Sequence, residues 1–133
     1  MADECDALRV HRAIGFELIE HAVDGRLDRA TAQWDRRPAL GVVLAAAGYP
    51  DAPKKGDIIT GLPKATEEVC VFHAGTVLKD GSTVTNGGRV LCVTALGHSV
   101  RSAATRAYEA IEGIRFDGMQ YRRDIGHRAL KRN

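Results

Sequence analysis

Arg89-Val90-Leu91-Cys92-Val93-Thr94-Ala95-Leu96, then Gly97-His98-Ser99, then the run from Val100 to Glu112, then Gly113-Ile114-Arg115-Phe116: this stretch decides the fold. Its first eight residues are strongly apolar and rich in β-branched side chains, which reads as a strand. Ser99 is a good N-cap, because its hydroxyl can accept from an otherwise unpaired amide of the first helical turn. Val100, Ala103, Ala104, Ala107, Tyr108 and Ile111 then fall at helical spacing on one face. Gly113 ends the helix, and Ile114-Arg115-Phe116 reads as a short strand before an Asp117-Gly118 turn. An amphipathic helix needs an apolar sheet to cover, and the strands beside it supply one. The expected class is α+β: a small mixed or antiparallel sheet with a helix packed on one face, preceded by an N-terminal helix.

The rest of the chain extends that unit. Val69 to Leu78 reads as a strand, Asp80-Gly81 as a turn and Thr83-Val84-Thr85 as the returning strand, because a two-residue hairpin turn favours positive φ at both central positions. Ile58-Ile59 is a short strand candidate closed by Gly61 and Pro63. Ala39 to Ala47 is a nearly continuous apolar run whose flanking Pro38 and Gly48 favour a buried strand, although its alanines also suit a helix. Gly48-Tyr49-Pro50-Asp51-Ala52-Pro53 is a loop. Toward the N-terminus, Val10, Ile14, Leu18 and Ala22, widened by Phe16, Ile19 and Val23, predict a helix over Asp3 to Asp24 with Gly25 as its C-cap. The tail from Asp124 to Lys131 has room for one or two helical turns.

A chain of 133 residues is room for one ordinary domain, and 44% hydrophobic with 27% charged residues is a globular composition. A net charge of +2 is too small to argue for nucleic acid, and the basic pairs Arg36-Arg37, Lys54-Lys55 and Arg122-Arg123 have few aromatics near them for base stacking. Cys5, Cys70 and Cys92 lack metal-type spacing and form no disulfide framework, which suits a reducing compartment. The polar, acidic start is no signal peptide, and no apolar run approaches the ~20 residues of a membrane span. The expected location is the cytoplasm.

Chemistry is sparse. The five histidines show no ligand spacing and no serine lies in a nucleophile motif, so no residue is assigned to catalysis or metal binding. His73 reads as a hydrogen-bonded strand residue. The glycine-rich stretch Asn86-Gly87-Gly88-Arg89 runs into a strand, not into a helix as a Walker loop must. Two readings stand: a bulge or close backbone approach, or backbone N–H groups of Gly87 and Gly88 with Arg89 facing an anion.

Several phrases together resemble one family. They include Trp34-Asp35-Arg36-Arg37-Pro38-Ala39-Leu40-Gly41-Val42-Val43, Ala46-Ala47-Gly48-Tyr49-Pro50, Lys55-Gly56-Asp57 and Val71-Phe72-His73-Ala74-Gly75-Thr76. Thr85-Asn86-Gly87-Gly88-Arg89-Val90-Leu91, Val93-Thr94-Ala95-Leu96-Gly97, Arg106-Ala107-Tyr108-Glu109-Ala110, Phe116-Asp117-Gly118 and Tyr121-Arg122-Arg123-Asp124-Ile125-Gly126 follow. In this order they are similar to the C-terminal domain of the phosphoribosylamine–glycine ligases, also called glycinamide ribonucleotide synthetases. Ala2-Asp3-Glu4-Cys5-Asp6-Ala7-Leu8 is similar to the segment that closes the family's ATP-grasp region, with Asp3 in place of a proline and Asp6 in place of a glutamine.

The resemblance implies an ATP-dependent ligase of purine biosynthesis that joins glycine to 5-phosphoribosylamine with ATP and Mg. It implies that residues 1–30 are the end of the ATP-grasp region and residues 31–133 the C-terminal domain. The Glu and Asn that hold the metal in the family lie upstream of the matching segment, so the chain alone is expected to be inactive. Its expected partners are a separate ATP-grasp segment and a second copy of itself, with neither membrane nor nucleic acid among them. A stand-alone binding or structural module derived from the ligase is the alternative. The resemblance also strengthens Gly87, Gly88 and Arg89 as candidates for a substrate phosphate.

Overall fold

The computed structural model describes residues 16–31 and 35–131. It contains a three-stranded antiparallel sheet in the order β1-β5-β2, formed by Ala39–Ala45 (β1), Arg89–Leu96 (β5) and Val69–His73 (β2). A separate hairpin joins Thr76–Lys79 (β3) to Ser82–Thr85 (β4). A helix at residues 16–23 (α1) precedes the sheet; Val100–Ile111 (α2) follows β5, and a single turn at His127–Leu130 (α3) lies in the tail. The sheet is antiparallel with a helix on one face, the expected α+β class.

The deciding stretch folds as its pattern dictates. In β1, Leu40, Val42 and Leu44 are buried and alternate with exposed Ala39, Gly41 and Val43. They stand opposite Ala95, Val93 and Leu91 of β5, so one face of the sheet is continuous and apolar. The stripe of α2, with Ala103, Ala107 and Ile111 fully buried, lies on that face. Alanine at the contact lets the helix approach the sheet closely. The helix starts in a capping box: the Ser102 amide donates to Ser99 Oγ at 3.2 Å, and the Ser99 amide donates to Ser102 Oγ at 3.0 Å. Ser99→Ala is therefore expected to cost about 1 kcal/mol, read as a lower urea midpoint at unchanged slope.

The hairpin turn also takes its expected form, with positive φ at Asp80 (50°) and Gly81 (77°). The structure departs from the sequence in the strand expected over Val69 to Leu78. It breaks at Ala74-Gly75, and its two halves join different sheets. Gly75 causes the break: its amide turns to the carbonyls of Arg89 and Val90, and a Cβ there would sit 2.8 Å from Gly87 Cα. The Ile58 and Ile114–Phe116 segments make only single bridges, Ile58 with Val84 and Thr60 with Arg115.

Of the expected N-terminal helix, residues 3–15 lie outside the described residues. The described part ends as foreseen at Gly25 (φ 64°), with Arg26 N–H on His21 O and Gly25 N–H on Ala22 O, a Schellman ending. Leu18 of its expected stripe is half-buried, while Phe16, Ile19 and Val23, which widen that stripe, are 62%, 61% and 82% exposed.

Candidate functional site

The second face of the sheet carries the residues that alternate with the core. Gly41 stands opposite Thr94, Val43 opposite Cys92, and Cys70 and Phe72 of β2 opposite Thr94 and Cys92. Val43 and Phe72 are 43% and 39% exposed, so this apolar face is not covered as its opposite is. At the β5 start it opens into a cleft of ≈ 680 Å³. Val43 and Cys92 line its floor, Tyr49, Pro50 and Pro53 form one wall, and Ala74, Gly88 and Arg89 close the end.

The bulge and close-approach reading of the glycine-rich stretch has its counterpart here. Close approach explains the glycines: Gly87 lies against Gly75, and a Cβ on Gly88 would meet Tyr49 Cδ2 at 2.5 Å. A register shift between Leu44 and Ala45, opposite Arg89, supplies the bulge. The same turn has the makings of an anion site. Arg89 is exposed and forms no ion pair among the described residues. The Gly87 and Gly88 amides have no hydrogen-bond partner among them either, whereas Asn86 N–H is committed to Gly75 O at 2.8 Å. A guanidinium beside two unpaired amides suits an anion with several oxygens. Gly88 and Arg89 line the cleft; Gly87 stands behind them, against Gly75.

The wall was not foreseen as part of a site. Lys54 at its base bonds to Asp57 Oδ1 at 2.9 Å and Asp117 Oδ2 at 2.6 Å. Asp117, then Asp57, holds the ammonium well above the ordinary lysine range, and Lys54 holds the Asp117 carboxyl below the ordinary carboxylate range. His73 is exposed, with Nδ1 3.1 Å from Thr76 Oγ1. The described residues do not fit a Mg-ATP site. No group of three or more His, Cys, Asp or Glu side chains among them is placed to hold a metal, and the Asp57 and Asp117 carboxylates share the Lys54 cation. No helix among them is long and apolar enough to cross a membrane.

Fold and cleft define an antiparallel α+β domain with one covered and one open sheet face, of the type carried by ATP-grasp ligases. The model of the family "Phosphoribosylglycinamide synthetase, C domain" matches residues 39–128, and the chain belongs to that family. It is 59% identical over 117 residues to the phosphoribosylamine–glycine ligase of Ralstonia nicotianae, covering 88% of this chain and 28% of that protein. With the Vibrio vulnificus ligase the identity is 56% over 117 residues, covering 87% and 27%. The crystal structure of the Thermotoga maritima ligase at 2.30 Å resolution superposes with a TM-score of 0.65 at 45% identity, over 80% of this chain and 27% of that one. The chain thus spans little more than a quarter of the length of these relatives and corresponds to their C-terminal part.

Proposed function

We propose that this chain serves as the C-terminal portion of a phosphoribosylamine–glycine ligase, joining glycine to 5-phosphoribosylamine with ATP in de novo purine biosynthesis. In this reading residues 31–133 are the C-terminal domain and residues 1–30 the end of the ATP-grasp region. The chain acts in the cytoplasm. The open sheet face, with Val43 and Phe72, packs on the remainder of the ligase, which holds ATP and Mg. The chain's own chemical contribution is binding: Gly87 and Gly88 N–H and the Arg89 guanidinium hold the phosphate of 5-phosphoribosylamine at the closed cleft. Excluding water there strengthens those charge-assisted bonds.

The observation that carries the assignment to the phosphate is the exposed Arg89 beside two amides without partners among the described residues, at the end of a cleft on the uncovered face. Amide NMR during titration with ribose 5-phosphate tests it. Shifts are expected to centre on Gly87 and Gly88, and Arg89→Gln is expected to weaken binding roughly tenfold, as loss of a charge-assisted pair should. Shifts elsewhere, or equal affinity in the variant, would remove this assignment.

A further inference from the structure

The Lys55-Gly56-Asp57 phrase and the cleft wall meet at one side chain. The wall segment starts from β1, bends through Ala52 N–H on Gly48 O at 2.9 Å, and closes with Lys54 N–H on Ala47 O at 2.8 Å. These bonds shape the loop, and Ala46 N–H on Gly88 O at 2.9 Å and Gly56 N–H on Thr85 O at 2.7 Å tie its two ends to the glycine turn and to β4. Between those ends the Lys54 ammonium adds a side-chain tie in two directions. Toward one side it meets Asp117, whose neighbour Gly118 lies directly against Ala47. Toward the other it meets Asp57, whose side chain is only 12% exposed and whose Oδ2 is buried with no hydrogen-bond partner. A carboxylate so placed needs its counter-charge, and Lys54 supplies it.

Asp57 is in turn locked to the strand that carries the anion-facing turn. Its N–H donates to Thr85 Oγ1 at 3.1 Å, and Thr85 N–H donates to Asp57 O at 2.9 Å. Thr85 is 1% exposed and leads directly into Asn86-Gly87-Gly88-Arg89. Beside those backbone ties, one cation links the Tyr49–Pro53 wall, the β4 end that feeds the glycine turn, and the 117–118 turn. At the end of the cleft the ring edge of Tyr49 lies over Gly88.

We propose that Lys54 is the positioning residue of the cleft: shared between Asp57 and Asp117, it sets where the Tyr49 wall stands over the Gly88-Arg89 end. Lys54 touches no ligand in this role. The effect on phosphate affinity rests on the reading of Gly87, Gly88 and Arg89 as a phosphate site. The position of the wall does not rest on it.

The test uses the full chain, with inorganic phosphate as probe. Two signals are followed: the Gly88 Hα shift, which the Tyr49 ring current displaces, and phosphate-induced shifts of the Gly87 and Gly88 amides. Lys54→Met is expected to move the Gly88 Hα resonance toward its random-coil position and to weaken phosphate binding roughly tenfold. Lys54→Arg keeps the charge and the reach and should restore both. In Lys54→Met with Asp57→Asn the buried carboxylate is gone, so thermal stability should recover while the Gly88 signal stays displaced. That double variant also serves if Lys54→Met does not fold. A Gly88 resonance at its wild-type position in Lys54→Met or in the double variant overturns the proposal. Absence of any phosphate shift in the wild type, with the Gly88 resonance still displaced by Lys54→Met, sinks the phosphate site and leaves the role of Lys54 standing.

Discussion

Ala107→Asp is expected to destabilise the chain by about 3–5 kcal/mol, the cost of an unpaired charge or polar group in a dry interior. Ala107 is fully buried in the layer between α2 and the sheet, among Val42, Val93 and Ile111, which are also fully buried. The added carboxyl meets only apolar neighbours. It must either stay charged without a partner or take up a proton at neutral pH, and both states cost free energy. A domain of this size has a total stability of about 5–15 kcal/mol, so the melting temperature should fall by roughly 10–30 °C. Ala104→Asp, 7% exposed at the edge of the same face, should follow with a smaller drop. Thr105→Asp, on the exposed side of the helix, should stay within about 0.5 kcal/mol of wild type. A calorimetric scan of the three variants measures this. Equal melting temperatures for Ala107→Asp and Thr105→Asp would mean that α2 presents another face.

The buried helix face was legible because its own period is clear. The helical stripe of Ala103, Ala107 and Ile111 is visible in the sequence, whereas the alternation of Leu40, Val42 and Leu44 shows only in the folded strand, because Val43 and Ala45 make the run read as continuously apolar. Local chemistry made the Ser99 cap and the Asp80-Gly81 turn equally readable. The break in Val69 to Leu78 was not, because the apolar run has no local marker except Gly75, and Gly75 is explained only by Gly87 pressing against it. The site divides the same way. Gly87-Gly88-Arg89 stands out as a phrase, but Tyr49 over Gly88 and Lys54 between Asp57 and Asp117 depend on contacts between segments distant in sequence, 63 residues apart for Lys54 and Asp117. Phe16, Ile19 and Val23, read as widening the stripe of Val10, Ile14, Leu18 and Ala22, are exposed, and periodicity says nothing of what covers them.

A chimera should show which surface the ligase uses. When this chain replaces the matching quarter of the Ralstonia nicotianae enzyme, the chimera is expected to release ADP on addition of glycine and 5-phosphoribosylamine, and the isolated chain to release none above a buffer blank. The described residues offer no set of carboxylate, histidine and cysteine ligands to orient Mg-ATP. Val43→Asp with Phe72→Asp then separates docking from folding. At 43% and 39% exposure the new carboxylates remain hydrated in the isolated chain, whose melting temperature should change little. Closed against the rest of the ligase, the same two charges lose water without gaining partners, at several kcal/mol. Each 1.4 kcal/mol is a factor of ten, so chimera activity should fall at least about a hundredfold. The outcome contrasts with Ala107→Asp, where the damage appears in the isolated chain. ADP release by the isolated chain would contradict the division of labour. Full activity of the Val43→Asp, Phe72→Asp chimera would exclude the open sheet face and leave the exposed stripe of Phe16, Ile19 and Val23 as the surface to charge next.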